Sequence, residues 1–290
     1  MKRRDFLELA LLGGASVALT GLVRHQWYSP QPTSPAVPKP SSAKPSAQAL
    51  PARRFIDRRG NLYDVIAEAN RVELRSPDGA SMGTLGGELQ APVSLSESGD
   101  GRLHVLEWGA DRVRAYGADG TAGRTFGESG SGPAGLRAPR DIAEHGDLLV
   151  VADTFNHRVQ VFDGEGRSRA RFGALGAGPA DLNGPVSVAI APDGLLHVAD
   201  LGNSRIQVFS PEGRHQASYG GWGKEEGLLL APCCVRFDGA GQSWVADSLG
   251  GWVHVFDAGG RFVRRTRPDG GAPAWLAFFP DGKVHVSLRS

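Results

Sequence analysis

Cysteine is nearly missing from this chain of 290 residues, which has only the adjacent pair Cys233 and Cys234. Four uses are open to such a pair: a strained vicinal disulfide, pairing with another chain, a soft metal, or a buried inert role. A surplus of one charge is missing too, the net charge being +1. Without the first 50 residues the balance is 26 basic against 29 acidic groups, or −3. No basic field remains to hold a phosphate backbone, so no nucleic-acid partner is expected. Near the N-terminus there is no A-x-A cleavage site after the apolar run, and no cysteine to accept a lipid.

What the chain has instead is glycine (41), proline (19) and a repeat. Residues 185–219, PVSVAIAPDGLLHVADLGNSRIQVFSPEGRHQASY, hold four short β-patterned runs separated by turns. Four antiparallel strands in one short meander cannot bury both faces alone, but copies stacked radially can. Copies open at Pro51, Pro92, Pro139, Pro185 and Pro232, and a truncated one of two strands opens at Pro273. The prolines are 41, 47, 46, 47 and 41 residues apart. The spacing predicts an all-β, six-bladed propeller over 51–290, with five complete four-stranded blades plus a truncated sixth. The alternative is a five-bladed ring. The sixth blade stays thin or borrows a strand from residues before Pro51.

The two middle copies read P-x-x-V/I-A, then G-x-L-x-V-A-D-x-x-N-x-R-I/V-Q-V-F. They resemble the NHL repeat, and the resemblance runs over about residues 51–290. It implies a propeller that serves as a binding platform, a few relatives being enzymes. One of these, the peptidyl-hydroxyglycine amidating lyase, is similar in repeat pattern and holds zinc through histidines near the opening proline. The matching positions here are Ala52, Val93, Arg140, Val186, Cys233 and Ala274. None is histidine, which argues against that activity.

Residues 1–28 form a separate unit. Arg3-Arg4-Asp5-Phe6-Leu7, followed by a Gly/Ala-diluted apolar run, is similar to the twin-arginine export signal. The resemblance implies the twin-arginine translocase as an export partner and an extracytoplasmic (periplasmic) location. Residues 6–23 would make roughly 27 Å of helix, enough to span a bilayer. Retention as an inner-membrane anchor and cleavage both stay open. Residues 29–50, rich in Pro, Ser and Ala, read as a solvated linker.

In a four-stranded meander, the second-to-third turns and the crossings between blades emerge on one face. That face collects Asp-led turns (Asp153 to Arg158, Asp200 to Arg205, Asp247 to Trp252) and Gly-rich crossings. The recurrence of the Asp and Arg in register points to scaffold, with the carboxylate capping backbone N–H groups. If a macromolecule binds there, Trp108, Trp222, Trp252, Arg158 and Arg205 are the candidate contacts. The Gly130-Ser131-Gly132-Pro133-Ala134-Gly135 stretch fits a dinucleotide fingerprint but opens a strand crossing, so it reads as a linker.

His104, His197 and His285 share one register place that elsewhere holds Tyr63, Val150 and Trp244. That marks a packing position rather than a metal site. The channel-lining strands offer Arg53, Arg54, Ser94, Ser96, Arg140, Asp141, Arg236 and the two cysteines. This set suits an anion better than Ca²⁺, and Cys233, Cys234, Arg140 and Arg236 are the channel or redox candidates. Adjacent cysteines on a regular strand would point to opposite faces, which makes a shared metal awkward. No catalytic residue, metal or cofactor is assigned.

The expectation is an exported, membrane-tethered, non-enzymatic interaction module for a protein partner, with a role beside a redox or envelope complex. The alternative is a hydrolase or lyase of a small molecule with its site at the channel mouth.

Overall fold

Proline after a Gly-rich crossing starts a strand without needing a ladder donor: Pro92, Pro185, Pro232 and Pro273 open the innermost strand of their sheets, and Pro139 stands two residues before one. In the computed structural model, which describes residues 52–289, five sheets are four-stranded meanders with strands in simple sequential order. They span 53–84, 92–126, 141–172, 185–220 and 232–266, called blades 1 to 5 below. A two-stranded hairpin, Pro273–Phe278 with Val284–Leu288, packs between blade 5 and blade 1. The all-β propeller read from the repeat is what forms. The expectations for residues 1–28 and 29–50, and for a strand borrowed from before Pro51, lie outside the described residues. Among the described residues no helix is long and apolar enough to cross a membrane.

The inner strands Arg53–Ile56, Pro92–Glu97, Asp141–His145, Pro185–Ile190, Pro232–Phe237 and Pro273–Phe278 contact one another in ring order, the last touching the first. The second and third strands of blades 3 and 4 are buried along their whole length or nearly so. The fourth strands, such as Ala122–Phe126, lie largely in solvent and carry polar residues. Apolar clusters fill the gaps between neighbouring sheets: Val150, Val161 and Phe162 of blade 3 are fully or almost fully buried, as are Leu196 and Phe209 of blade 4. Such a sheet buries both faces only because it has a neighbour on each side.

Glycine is required at two kinds of place. The first-to-second turns use Gly60, Gly101, Gly194, Gly241 and Gly282, all with φ between 76° and 85°. In the crossings, Gly173 and Gly220 are left-handed, and a Cβ there would meet Leu182 or Leu229 at 2.6 Å.

One irregularity positions everything at the axis. In the inner strands the ladder slips between Pro92 and Ser94, Pro185 and Ser187, Pro232 and Cys234, and Pro273 and Trp275. Such a slip sets two residues of the inner strand against one of its partner and breaks the side-chain alternation. The second residue after each opening proline (Arg53, Ser94, Asp141, Ser187, Cys234 and Trp275) is then buried.

Candidate axial site and crossing face

Those six residues form a girdle in which four of the neighbouring inner-strand pairs are tied by the bonds that follow. The backbone N–H of Ile142 donates to Ser94 Oγ (3.3 Å), that of Val188 to Asp141 Oδ2 (3.0 Å) and that of Val235 to Ser187 Oγ (3.1 Å). Trp275 closes the ring from the other side, its Nε1 donating to the carbonyl of Arg54 at 3.1 Å.

Asp141 is the hub. Its Oδ1 accepts from Ser94 Oγ (2.7 Å), Ile142 N (2.9 Å) and Arg236 Nη2 (3.1 Å). Its Oδ2 accepts from Ser187 Oγ (2.7 Å), Val188 N (3.0 Å) and Arg236 Nη1 (3.0 Å). Burial pushes the carboxyl up, but Arg236, Arg53 and the donated hydrogen bonds outweigh it and hold Asp141 below the usual carboxylate range. Arg53 and Arg236 both lie against the Trp275 indole, 4.2 and 4.1 Å from the ring centroid.

Positive charge exceeds negative here. Arg53 is buried and donates to the carbonyl of Arg140, and among the described residues it has no carboxylate in ion-pair contact. Arg140 follows the opening proline of blade 3, and its buried Nε has no hydrogen-bond partner. Burial, and then the charge of Arg53, press Arg140 down to about 9, so it is still charged at neutral pH. The cationic end of the channel faces the crossings, because inner strands start there.

The cysteines sit in the same girdle. Cys233 Sγ lies nearest the carbonyl of Ala246 in its own blade (3.3 Å), with those of Pro273 and Ala274 at 3.5 Å, and Cys234 is buried in the apolar cluster with Trp275 and Leu276. Both are free thiols. Burial pushes Cys233 up to about 12, and raises Cys234 too. Among the described residues no group of three or more His, Cys, Asp or Glu side chains gathers as a metal site.

The Asp-led turns are scaffold. Asp153 Oδ1 accepts from Arg137 N (2.7 Å) while Oδ2 accepts from Asn156 (2.8 Å), Arg158 (2.7 Å) and Gln160 (3.3 Å). Asp200 repeats the pattern with Asn183 N, Asn203, Arg205 and Gln207. Each carboxylate pins the incoming crossing to the turn. Arg158 and Arg205 are at most 9% exposed and donate to crossing carbonyls, so neither is free to contact a partner. Trp108 is buried too (5% exposed), in the core between blades 2 and 3, which corrects its reading as a surface anchor. His104 and His197 are packing residues: His104 pairs with Glu144 at 2.9 Å and His197 with Tyr219 Oη at 3.0 Å.

Trp222 and Trp252 do reach the crossing face. Trp222 is 39% exposed, and Trp252 is partly covered by the guanidiniums of Arg265 and Arg267 at 4.4 and 4.9 Å. Sequence reading missed Leu249 (71% exposed) and Leu175 (54%) on the same face. Their signal was an apolar residue inside a Gly-rich turn or crossing. At the opposite end of the axis is a shallow depression of about 440 Å³ lined by Ile56, Asp57, Arg58, Glu97 and Phe278 to Pro280.

Residues 182–209 match the NHL repeat model, so the chain carries an NHL repeat within a β-propeller. No curated protein matches the sequence. Among solved structures it is similar to a streptogramin B lyase: 17% identity, TM-score 0.61, covering 81% of this chain and 75% of that one. It is also similar to a selenomethionine-substituted virginiamycin B lyase from Staphylococcus aureus: 13% identity, TM-score 0.62, covering 83% of this chain and 85% of that one. A catalytically inactive form of the S. aureus lyase with quinupristin matches at 13% identity and TM-score 0.62, covering 85% and 87%. At these identities the likeness concerns the fold.

Proposed function

We propose that this chain is a non-enzymatic binding propeller that offers its crossing face to a protein partner. The observation that carries this reading is that three exposed large apolar side chains share that face. Leu175, Trp222 and Leu249 all lie on crossings or second-to-third turns of blades 3 to 5, with Trp252 beside them. Grouped exposed apolar residues on a soluble surface mark interaction sites, and aromatic ones contribute most. A photocrosslinking residue at Leu249 or Trp222, in cells that make the protein natively, should capture a discrete partner. One at Asp193, on the opposite face, should not. Equal capture from both faces, or none from either, contradicts the reading.

The ring is read as six positions, the hairpin 273–288 filling the sixth, because its inner strand packs on blade 5 and blade 1 alike. Export is read from Arg3, Arg4, Phe6 and Leu7, with residues 6–23 as a membrane tether and 29–50 as spacer. Substituting Arg3 and Arg4 by Lys should leave the chain in the cytoplasm. A role beside a redox or envelope complex rests on the export signal alone.

The fold shared with the virginiamycin B lyases favours a second reading, a small-molecule lyase or hydrolase at the channel mouth. Against it, Asp141, the one carboxylate of the girdle among the described residues, already accepts six hydrogen bonds and has no free lone pair to act as a base. Incubation with quinupristin and chromatography of the products tests it. A new product would displace the binding reading.

A further inference from the structure

Three guanidiniums, Arg53, Arg140 and Arg236, surround the axis at the crossing-face end, and among the described residues one carboxylate, Asp141, answers them. That carboxylate is consumed by Arg236 and by two serines. Among the described residues Arg53 has the Arg140 carbonyl and the Trp275 indole as its contacts and shares the charge of Asp141 without pairing to it, and Arg140 Nε is buried with nothing to donate to. Arg289, at the end of the hairpin, adds a further positive charge beside Arg140. A buried guanidinium without an anion is costly, and folds rarely keep one that has no use.

We propose that the crossing-face mouth of the channel binds one oxyanion group, of carboxylate or sulfate type, through Arg140 and Arg53. Planar guanidiniums match such groups with paired N–H donors. The neighbouring ring members hold the cradle: Arg53 is fixed by the Arg140 carbonyl and the Trp275 indole, and Trp275 by the Arg54 carbonyl. This deepens the binding reading above by giving the ligand its chemistry, since the apolar side chains Trp222, Leu249 and Leu175 stand on the same face. An acidic group entering the mouth would have apolar contacts around it. The group is either a free small anion or a carboxylate carried by a peptide chain.

The test uses the full chain, its melting temperature read in sodium sulfate and in sodium acetate against sodium chloride at matched ionic strength. Each oxyanion should raise the melting temperature by roughly 5 °C near saturation. Arg140→Met should abolish the response without lowering the melting temperature in chloride, because it removes a buried N–H that has no acceptor. Arg261→Met, on an exposed turn, should leave the response intact. A short peptide with a free C-terminal carboxylate and its amidated twin then compete against sulfate. Competition by the acid alone assigns a chain-borne carboxylate, and competition by neither assigns a free anion. No oxyanion response in the native chain, or an equal one in Arg140→Met, overturns the site. Crosslinking from Leu249 is read independently, so loss of the anion site and loss of the binding face are told apart.

Discussion

Asp141 and Arg236 are 95 residues apart in the chain and meet in a two-point ion pair, at 3.0 and 3.1 Å, across the propeller axis. The pair spans from blade 3 to blade 5 and passes over Ser187 of blade 4, which bonds to both. It can form only when blades 3, 4 and 5 pack side by side.

Asp141→Asn should therefore act on three blades at once. It leaves the Arg236 guanidinium buried without its counter-charge, a loss of about 3–5 kcal/mol. Urea unfolding of both chains measures it. Because the folded carboxyl titrates below its unfolded value, this contribution is full above the unfolded pKa near 4 and fades as pH falls below it. The variant should lack that acid-side loss.

Stability should also fall between about pH 6.5 and 4 for another reason. Burial lowers His197 to about 4, where it packs against Tyr219 and Phe237. A base with a depressed folded pKa favours folding only in its neutral form. Its stability is full above the unfolded pKa near 6.5 and declines as pH drops towards 4, on the order of 3 kcal/mol in all. His197→Phe should flatten the slope in that window by up to one proton. His254, buried and without a hydrogen-bond partner, is shifted in the same direction and adds to the native slope.

The turn carboxylates should differ in a set order. Asp200→Ala strands Arg205, Asn203, Gln207 and the Asn183 N–H together and should cost more than about 3 kcal/mol. Asp247 holds the N–H groups of Leu230, Ala231 and Gly250 and no guanidinium, since Trp252 stands in the Arg place. Asp247→Ala should cost less. Chemical denaturation of the two single variants checks the order.

The thiols should be silent until the ring opens. With Cys233 at about 12 and Cys234 raised as well, alkylation at pH 8 should be slow in the native protein and reach two groups per chain in denaturant. A count of zero in denaturant would mean a disulfide instead.

The repeat was legible because the blades use the opening proline and the turn glycine in nearly the same register, and blades 3 and 4 add the Asp and the Arg. The inner-strand residues could be named for the same reason, Arg140, Asp141 and Arg236 among them. Their convergence could not, because it depends on ring closure and on a bulge that no local pattern announces. Trp108 was misplaced on related grounds. Its position follows the turn carboxylate, where blade 4 has Leu201 partly exposed, and only the packing of Ala91 and Leu136 from the flanking crossings draws the indole inside. Leu249 was overlooked because periodicity has no meaning within a four-residue turn.

The most direct measurement of the central claim is a crystal of the full chain grown with selenate, with anomalous scattering used to locate the anion. The account predicts a selenium peak at the crossing-face mouth of the channel, its oxygens within hydrogen-bond reach of Arg140 Nε and the Arg53 guanidinium. Selenate sites confined to outer-strand arginines, with Arg140 left unpartnered, would contradict it.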